Sequence, residues 1–155
     1  MNSPTSPRGL SNAVLEAFRA DGVLSRADPA FRPRSGQTEM ALAVAETLER
    51  GGSLVVEAGT GVGKTFAYLV PALLSGERVL ISTATKALQD QLFARDLPRL
   101  ASAFGLPVRL ALLKGRASYL CPHRLELARR EALLPDRNTV ALLAKVERWA
   151  QGSRS

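Results

Sequence analysis

Apolar residues recur at helical spacing near the start of the chain. Leu10, Val14, Leu15 and Phe18 fall on one side of "LSNAVLEAFRA" and predict a short amphipathic helix, after a polar stretch with Pro4 and Pro7 (residues 1–8) that reads as a loose end. "DGVLSRADPAFRPRSGQ" is punctuated by Gly22, Pro29, Pro33 and Gly36 and reads as a connecting loop. A second helix is expected through "TEMALAVAETLER", closed by Gly51 and Gly52. The pattern then changes. "SLVVEA", "RVLIST" and "VRLALLKG" are short, mainly apolar runs of the kind buried on both faces of a parallel sheet. Between them lie two helical stretches. One runs from Gly63 to about Ser75 with a kink expected at Pro71, and the other is "KALQDQLFARDLPRLASAF" with a break near Pro98. Strand, helix, strand, helix, strand is the order of a parallel α/β sheet. Beyond Gly115 the texture becomes helical and Arg-rich, in "CPHRLELARREALL" and "NTVALLAKVERWA" around a turn at "PDR", with no further strand. The expected organisation is an N-terminal helix and loop over 1–35, an α/β domain over 36–115 and a separate helical segment over 116–155.

Composition narrows the class. A chain of 155 residues with 46% hydrophobic content is about one domain and can bury a core. No apolar run approaches the roughly 20 residues needed to cross a bilayer, and "MNSPTSPRGLSNAV" lacks the layout of a secretory signal, so a cytoplasmic protein is expected. The single cysteine, Cys121, excludes an internal disulfide framework and fits a reducing compartment. A net charge of +7 favours an anionic partner, nucleic acid before acidic membrane, although a small basic protein can simply be soluble. Of 21 basic residues only four are lysines, and Lys64, Lys86 and Lys114 all fall in the segments that carry the chemistry below.

The strongest of those segments is "AGTGVGKT", Ala58 to Thr65. It has the phosphate-loop spacing, with alanine in place of the first glycine. Successive backbone N–H groups must turn inward toward phosphate oxygens, and glycine permits the positive φ angles this requires. The helix that follows adds its positive dipole end. Lys64 is placed to reach the β- and γ-phosphates, and the Thr65 hydroxyl to ligate Mg²⁺. Gly59, Thr60, Gly61, Val62 and Gly63 complete the cradle. A glycine-rich turn with an incidental lysine is the bland alternative, but an expected strand precedes the turn and an expected helix follows it. A dinucleotide-binding turn is excluded, because G-x-G-x-x-G would need glycine where Lys64 stands. The loop predicts a nucleoside triphosphate ligand.

Flanking residues refine this. Gln37, in "FRPRSGQTEMA", lies 21 positions before Ala58. Thr83 and Thr85 follow the second apolar run, with Lys86 and Gln89 after them on the next helix. Hydroxyls and N–H groups at such a helix start suit a nucleic-acid backbone and read no base, and they equally suit helix capping.

"RSGQ", "EAGTGVGKT", "ISTATKALQDQL" and "LLKGRASYLC" stand in an order and spacing that resembles superfamily-two DNA helicases with an iron–sulfur cluster, in particular the DinG/YoaA-like bacterial branch related to XPD. The resemblance covers roughly residues 12 to 121. It implies a RecA-like fold, recognition of adenine by Gln37 and hence ATP with Mg²⁺, and tracking of single-stranded or forked DNA by Thr83, Thr85, Lys86 and Gln89. It also implies that Cys121 is the first of four ligands of a 4Fe–4S cluster, that replication or repair proteins are partners, and that the activity is 5′-to-3′ unwinding in DNA repair. Ser118 stands where the family often has asparagine. The acids after Thr65 are Glu77, Asp90, Asp96, Glu126, Glu131, Asp136 and Glu147, and none ends an apolar strand as Mg²⁺ and water positioning would require. With no arginine finger and no second motor domain, the chain is expected to be the N-terminal part of such a helicase, inactive in isolation. Two other readings stay open: another P-loop NTPase, such as a small kinase or GTPase, and a non-catalytic module that binds nucleotide or DNA.

Overall fold

The computed structural model describes residues 7–130 and 136–152, which fall into two compact units divided between Ala111 and Leu112. The expected loose end therefore lies almost wholly outside the described residues.

In the first unit, α1 spans Pro7–Ala17, with proline at its first position, where a missing N–H is harmless. Of the apolar positions that predict this helix, Leu10, Val14 and Phe18 are buried, whereas Leu15 is exposed and Ala17 is buried in its place. The loop expected next contains a further short helix, α2 (Val23–Ala27), which anchors itself by burying Leu24. Helix α3 (Ser35–Arg50) packs on α1 and on α4 (Lys64–Leu74). Ala41 and Ala45 are fully buried on α3, and such small side chains let neighbouring helices approach closely. Near the end of α3, the Glu49 carboxylate accepts from the backbone N–H groups of Leu10 and Ser11, each at 3.1 Å, and from the Ser11 hydroxyl at 3.0 Å. This ties α1 to the far end of α3. Helix α4 runs through Pro71 as one uninterrupted element and buries Ala67, Leu69, Val70 and Pro71. Fully burying a leucine such as Leu69 contributes about 1.5–3 kcal/mol.

The break expected at Pro98 takes a specific form. Helix α5 (Lys86–Gln91) passes into a π-helical turn over Leu92–Asp96 and then into α6 (Leu97–Phe104). Pro98 has no N–H for the carbonyl of Ala94 and its ring crowds that turn. The chain widens just before it, and the Leu97 N–H donates to the Leu92 carbonyl, five residues back.

The expected parallel sheet is not formed among the described residues. "SLVVEA" and "RVLIST" carry no strand pairing, Val55 is 95% exposed and Leu80 is 93% exposed. "VRLALLKG" likewise has none. A strand is held by a ladder to a neighbour, and local apolar character cannot substitute for one. The described residues of this unit build a helical core instead, against which Ile81 packs.

The second unit holds a 3₁₀ turn at Arg116–Ser118 and helices α7 (Pro122–Arg130) and α8 (Arg137–Gly152). Neither helix buries a residue. The turn expected at "PDR" begins outside the described residues, but Asp136 is described. Its carboxylate accepts from the Thr139 N–H at 2.7 Å, at the start of α8. That hydrogen bond holds its pKa below the ordinary carboxylate value. Among the described residues no helix is long and apolar enough to cross a membrane.

Candidate nucleotide-binding site

The loop from Ala58 to Thr65 leads directly into α4, whose first residue is Lys64. Gly61 and Gly63 have φ of 82° and 91°, in the left-handed region that side chains other than glycine avoid. Both conformations were expected of a loop whose N–H groups converge on an anion. The Lys64 ammonium donates to the carbonyls of Ala58 and Gly59, each at 2.8 Å. Its positive charge therefore stands over the loop rather than in the core. An ideal Cβ at Gly59 or Gly61 would meet nothing within 4 Å, so the loop has open space on that side. This arrangement fits a triphosphate, with Lys64 free to exchange two neutral carbonyl acceptors for charged phosphate oxygens.

Gln37 joins the same site. It is buried on α3, and its amide nitrogen donates to the Gly63 carbonyl at 2.9 Å. The contact is close enough that a Cβ at Gly63 would lie 2.1 Å from that nitrogen. Val62 packs beside Gly36 on the same side. Arg34, just before α3, donates from its guanidinium to the Gly61 carbonyl. Thus the segment before α3 and the phosphate loop are joined at two points, Arg34 to Gly61 and Gln37 to Gly63.

Beside this junction lies a cavity of about 480 Å³, within the range that holds small ligands. Phe31, Gln37, Gly63, Thr65, Phe66 and Asp96 are among the residues that line it. The Phe31 and Phe66 rings stack with centroids 6.5 Å apart, and Phe31 also packs on the buried Phe18 at 6.2 Å, so the aromatic wall is continuous with the core. Arg99, on the rim, pairs with Asp28 at 2.8 Å. Partial burial pushes the Tyr68 phenol pKa up, with the nearby Thr65 side chain acting in the opposite direction.

Sequence reasoning identified Gln37 and the loop and missed Arg34, Phe31, Phe66 and Asp96. The aromatic pair carries no local signal. Asp96 does carry one, since Leu88, Leu92, Leu100 and Phe104 share its four-residue spacing.

The other predicted residues lie elsewhere in the molecule. At the start of α5, the Thr85 side chain accepts from the Leu88 N–H at 3.2 Å, so it caps the helix. The Thr83 hydroxyl donates to the Thr85 carbonyl at 3.2 Å. Lys86 is exposed as the first residue of α5, and Gln89 follows on the same helix. Cys121 is exposed in the second unit. Among the described residues no three His, Cys, Asp or Glu side chains are grouped to hold a metal ion. Cys121 is the chain's single cysteine, whereas an iron–sulfur cluster of this kind takes four thiolates. The residues present therefore do not suffice to bind such a cluster.

Residues 38–131 match the DEAD/DEAH box helicase family. The chain belongs to that family, and within it to the DinG/YoaA-like helicases. It is 47% identical over 144 residues to "ATP-dependent DNA helicase YoaA" of Haemophilus influenzae, covering 93% of this chain and 22% of that protein. It is 53% identical over 100 residues to "ATP-dependent helicase DinG" of Mycobacterium tuberculosis, covering 59% of this chain and 15% of that one. A third relative, "3'-5' exonuclease DinG" of Bacillus subtilis, is 37% identical over 139 residues, covering 86% of this chain and 15% of the relative. The chain thus spans between 15% and 22% of the length of these relatives. No solved structure gives a significant match.

Proposed function

We propose that this chain supplies the ATP-binding part of an ATP-dependent DNA helicase that acts in the cytoplasm on single-stranded or forked DNA. The observation that carries the reading is the junction at Gly63. One glycine in left-handed conformation ends the phosphate loop, starts α4 behind Lys64 and accepts a hydrogen bond from buried Gln37. Ala58 to Thr65 hold the phosphates, Lys64 neutralises the β- and γ-phosphates, Thr65 ligates Mg²⁺, and Gln37 faces the adenine. In the longer protein the apolar segments at 53–58, 78–83 and 108–113 are strands of a RecA-like parallel sheet. Residues 36–115 belong to that motor domain, and 116–155 open a helical insertion to which Cys121 contributes one thiolate of a 4Fe–4S cluster. Thr83, Thr85, Lys86 and Gln89 contact the DNA backbone. Unwinding runs 5′ to 3′ in DNA repair, with replication or repair proteins as partners.

Hydrolysis requires an acid that positions Mg²⁺ and water and a cation opposite the γ-phosphate. Loss of an arginine finger alone lowers turnover about 10³- to 10⁵-fold. Of the acids after Thr65, Asp96 is buried but sits on a helix, where its oxygens accept from Gln91 and Arg95. A non-catalytic role for the 155 residues by themselves is therefore the second reading.

The test is ATP affinity of the parent chain and of Lys64→Ala. The Lys64 contacts are to loop carbonyls only, so the variant should keep its fold and lose ATP binding. Equal affinity in both would overturn the assignment. GTP that competes as well as ATP would favour another P-loop NTPase.

A further inference from the structure

Along α5, the π-helical turn and α6, one side is almost entirely apolar. Leu92 and Leu100 are buried in the core, and Leu88 and Phe104 pack against it. The residue at the centre of this row is Asp96, which is 4% exposed. A carboxylate in a leucine row is unfavourable unless its oxygens are hydrogen-bonded. Gln91 donates to one oxygen at 2.8 Å and Arg95 to the other at 2.9 Å. Each carboxylate oxygen has a second acceptor position. Asp96 is also not a helix cap: although it precedes α6, its side chain accepts from no helix N–H. Instead it lines the cavity that Gln37, Phe31 and Phe66 also line. The π-helical turn ends at Asp96 itself, and such turns recur where a functional side chain must be re-aimed.

An ionised carboxylate offers acceptors only. A ligand group facing it must donate a hydrogen, and a carbonyl oxygen in the same place is repelled. Adenine carries a 6-amino donor where hypoxanthine and guanine carry a 6-oxo acceptor. Resting on the reading that this cavity receives the base of ATP, we infer that Asp96 is a specificity-determining residue that accepts from the 6-amino group and excludes 6-oxo purines. Gln37 by itself does not enforce this choice. A side-chain amide can turn over and present either a donor or an acceptor, whereas a carboxylate cannot. The acid is thus the discriminating element and the amide the accommodating one.

The experiment compares ATP, ITP and purine riboside triphosphate as competitors for a fluorescent ATP analogue, on the parent chain and on Asp96→Asn. The parent should bind ATP at least about tenfold more tightly than either analogue, because each leaves the carboxylate's second acceptor position unfilled or opposed. Asp96→Asn can donate to a 6-oxo group, so its ATP/ITP ratio should fall to within about threefold. A merely structural Asp96 would lower both affinities together and leave the ratio at the parent's value, which overturns the inference. Equal binding of ATP and ITP by the parent overturns it without any variant, even if Asp96→Asn fails to fold. Failure of the parent to bind any of the three removes the ATP reading itself, and this inference with it.

Discussion

Gly63→Ala puts the junction between α3 and the phosphate loop to a direct energetic test. Two separate penalties arise at this position. The backbone has φ of 91° and ψ of 34°, and forcing an L side chain into left-handed geometry costs about 1–2 kcal/mol. The new Cβ would also lie 2.1 Å from the Gln37 amide nitrogen and 2.9 Å from its amide carbon. Gln37 is buried, so its side chain must be pushed aside and lose its hydrogen bond to the Gly63 carbonyl, roughly a further 1 kcal/mol. The sum, about 2–3 kcal/mol, is a large fraction of the 5–15 kcal/mol typical of a whole domain. Gly61→Ala provides the control. It has a similar φ of 82° but nothing within 4 Å of its Cβ position, so it should show the backbone penalty alone. Urea unfolding of the parent, both variants and Gln37→Ala/Gly63→Ala measures each part. The double variant should recover part of the Gly63→Ala loss, since removing the glutamine removes the clash. Equal destabilisation by Gly61→Ala and Gly63→Ala, with no recovery in the double variant, would refute the close contact between Gln37 and Gly63.

Further expectations concern the start of α5 and the acid side of the stability curve. Thr85→Ala should destabilise the start of α5 by about 1 kcal/mol through loss of its cap to Leu88, while Thr85→Ser should retain most of it, as measured by thermal unfolding. Lys86→Ala should leave stability unchanged, weaken single-stranded DNA binding and flatten its dependence on salt by about one counterion, irrespective of base sequence; a preference for one sequence that salt does not affect would contradict backbone contact. Asp28 has its pKa held below the ordinary value of about 3.9, first by the Ala30 N–H and then by Arg99. A depressed folded-state pKa means that its contribution is complete above about pH 4 and is lost as pH falls through the lower, folded value. Asp28→Asn should therefore lose a small stabilisation at neutral pH and show a shallower decline on acidification, read from melting temperature against pH.

What could be read from the residues alone was what is local. Eight consecutive positions, Ala58 to Thr65, define the phosphate loop, because the positive φ angles and the lysine are properties of that short stretch. Helices α1, α3 and α4 were legible for the same reason, since a helix satisfies its own backbone. Pro98 correctly marked a disturbance, which the structure shows as a π-helical turn over the five residues from Leu92 to Asp96. The sheet was inferred from "SLVVEA", "RVLIST" and "VRLALLKG", whose apolar character indicates what they would bury but not which strands would pair with them. Pairing is non-local, and among the described residues none of the three finds a neighbour. Asp96 and Arg34 were missed because their importance depends on what faces them, Gln91 and Arg95 in one case and the Gly61 carbonyl in the other.

Uncovered Val55 and Leu80 have a practical consequence for the chain in solution. Apolar segments without strand partners are templates for backbone pairing between molecules, and "SLVVEA" and "RVLIST" are each guarded by one charge, Glu57 and Arg78, with neither proline nor lysine. The force that opposes such pairing is mutual repulsion from the +7 charge. Added salt therefore acts twice on this protein. Under the proposed function it would loosen contacts to a phosphate backbone, and it also shortens the reach of that repulsion to about 8 Å near physiological ionic strength. The salt that would release nucleic acid under the proposed function is thus also the condition in which the molecules are most prone to adhere to one another.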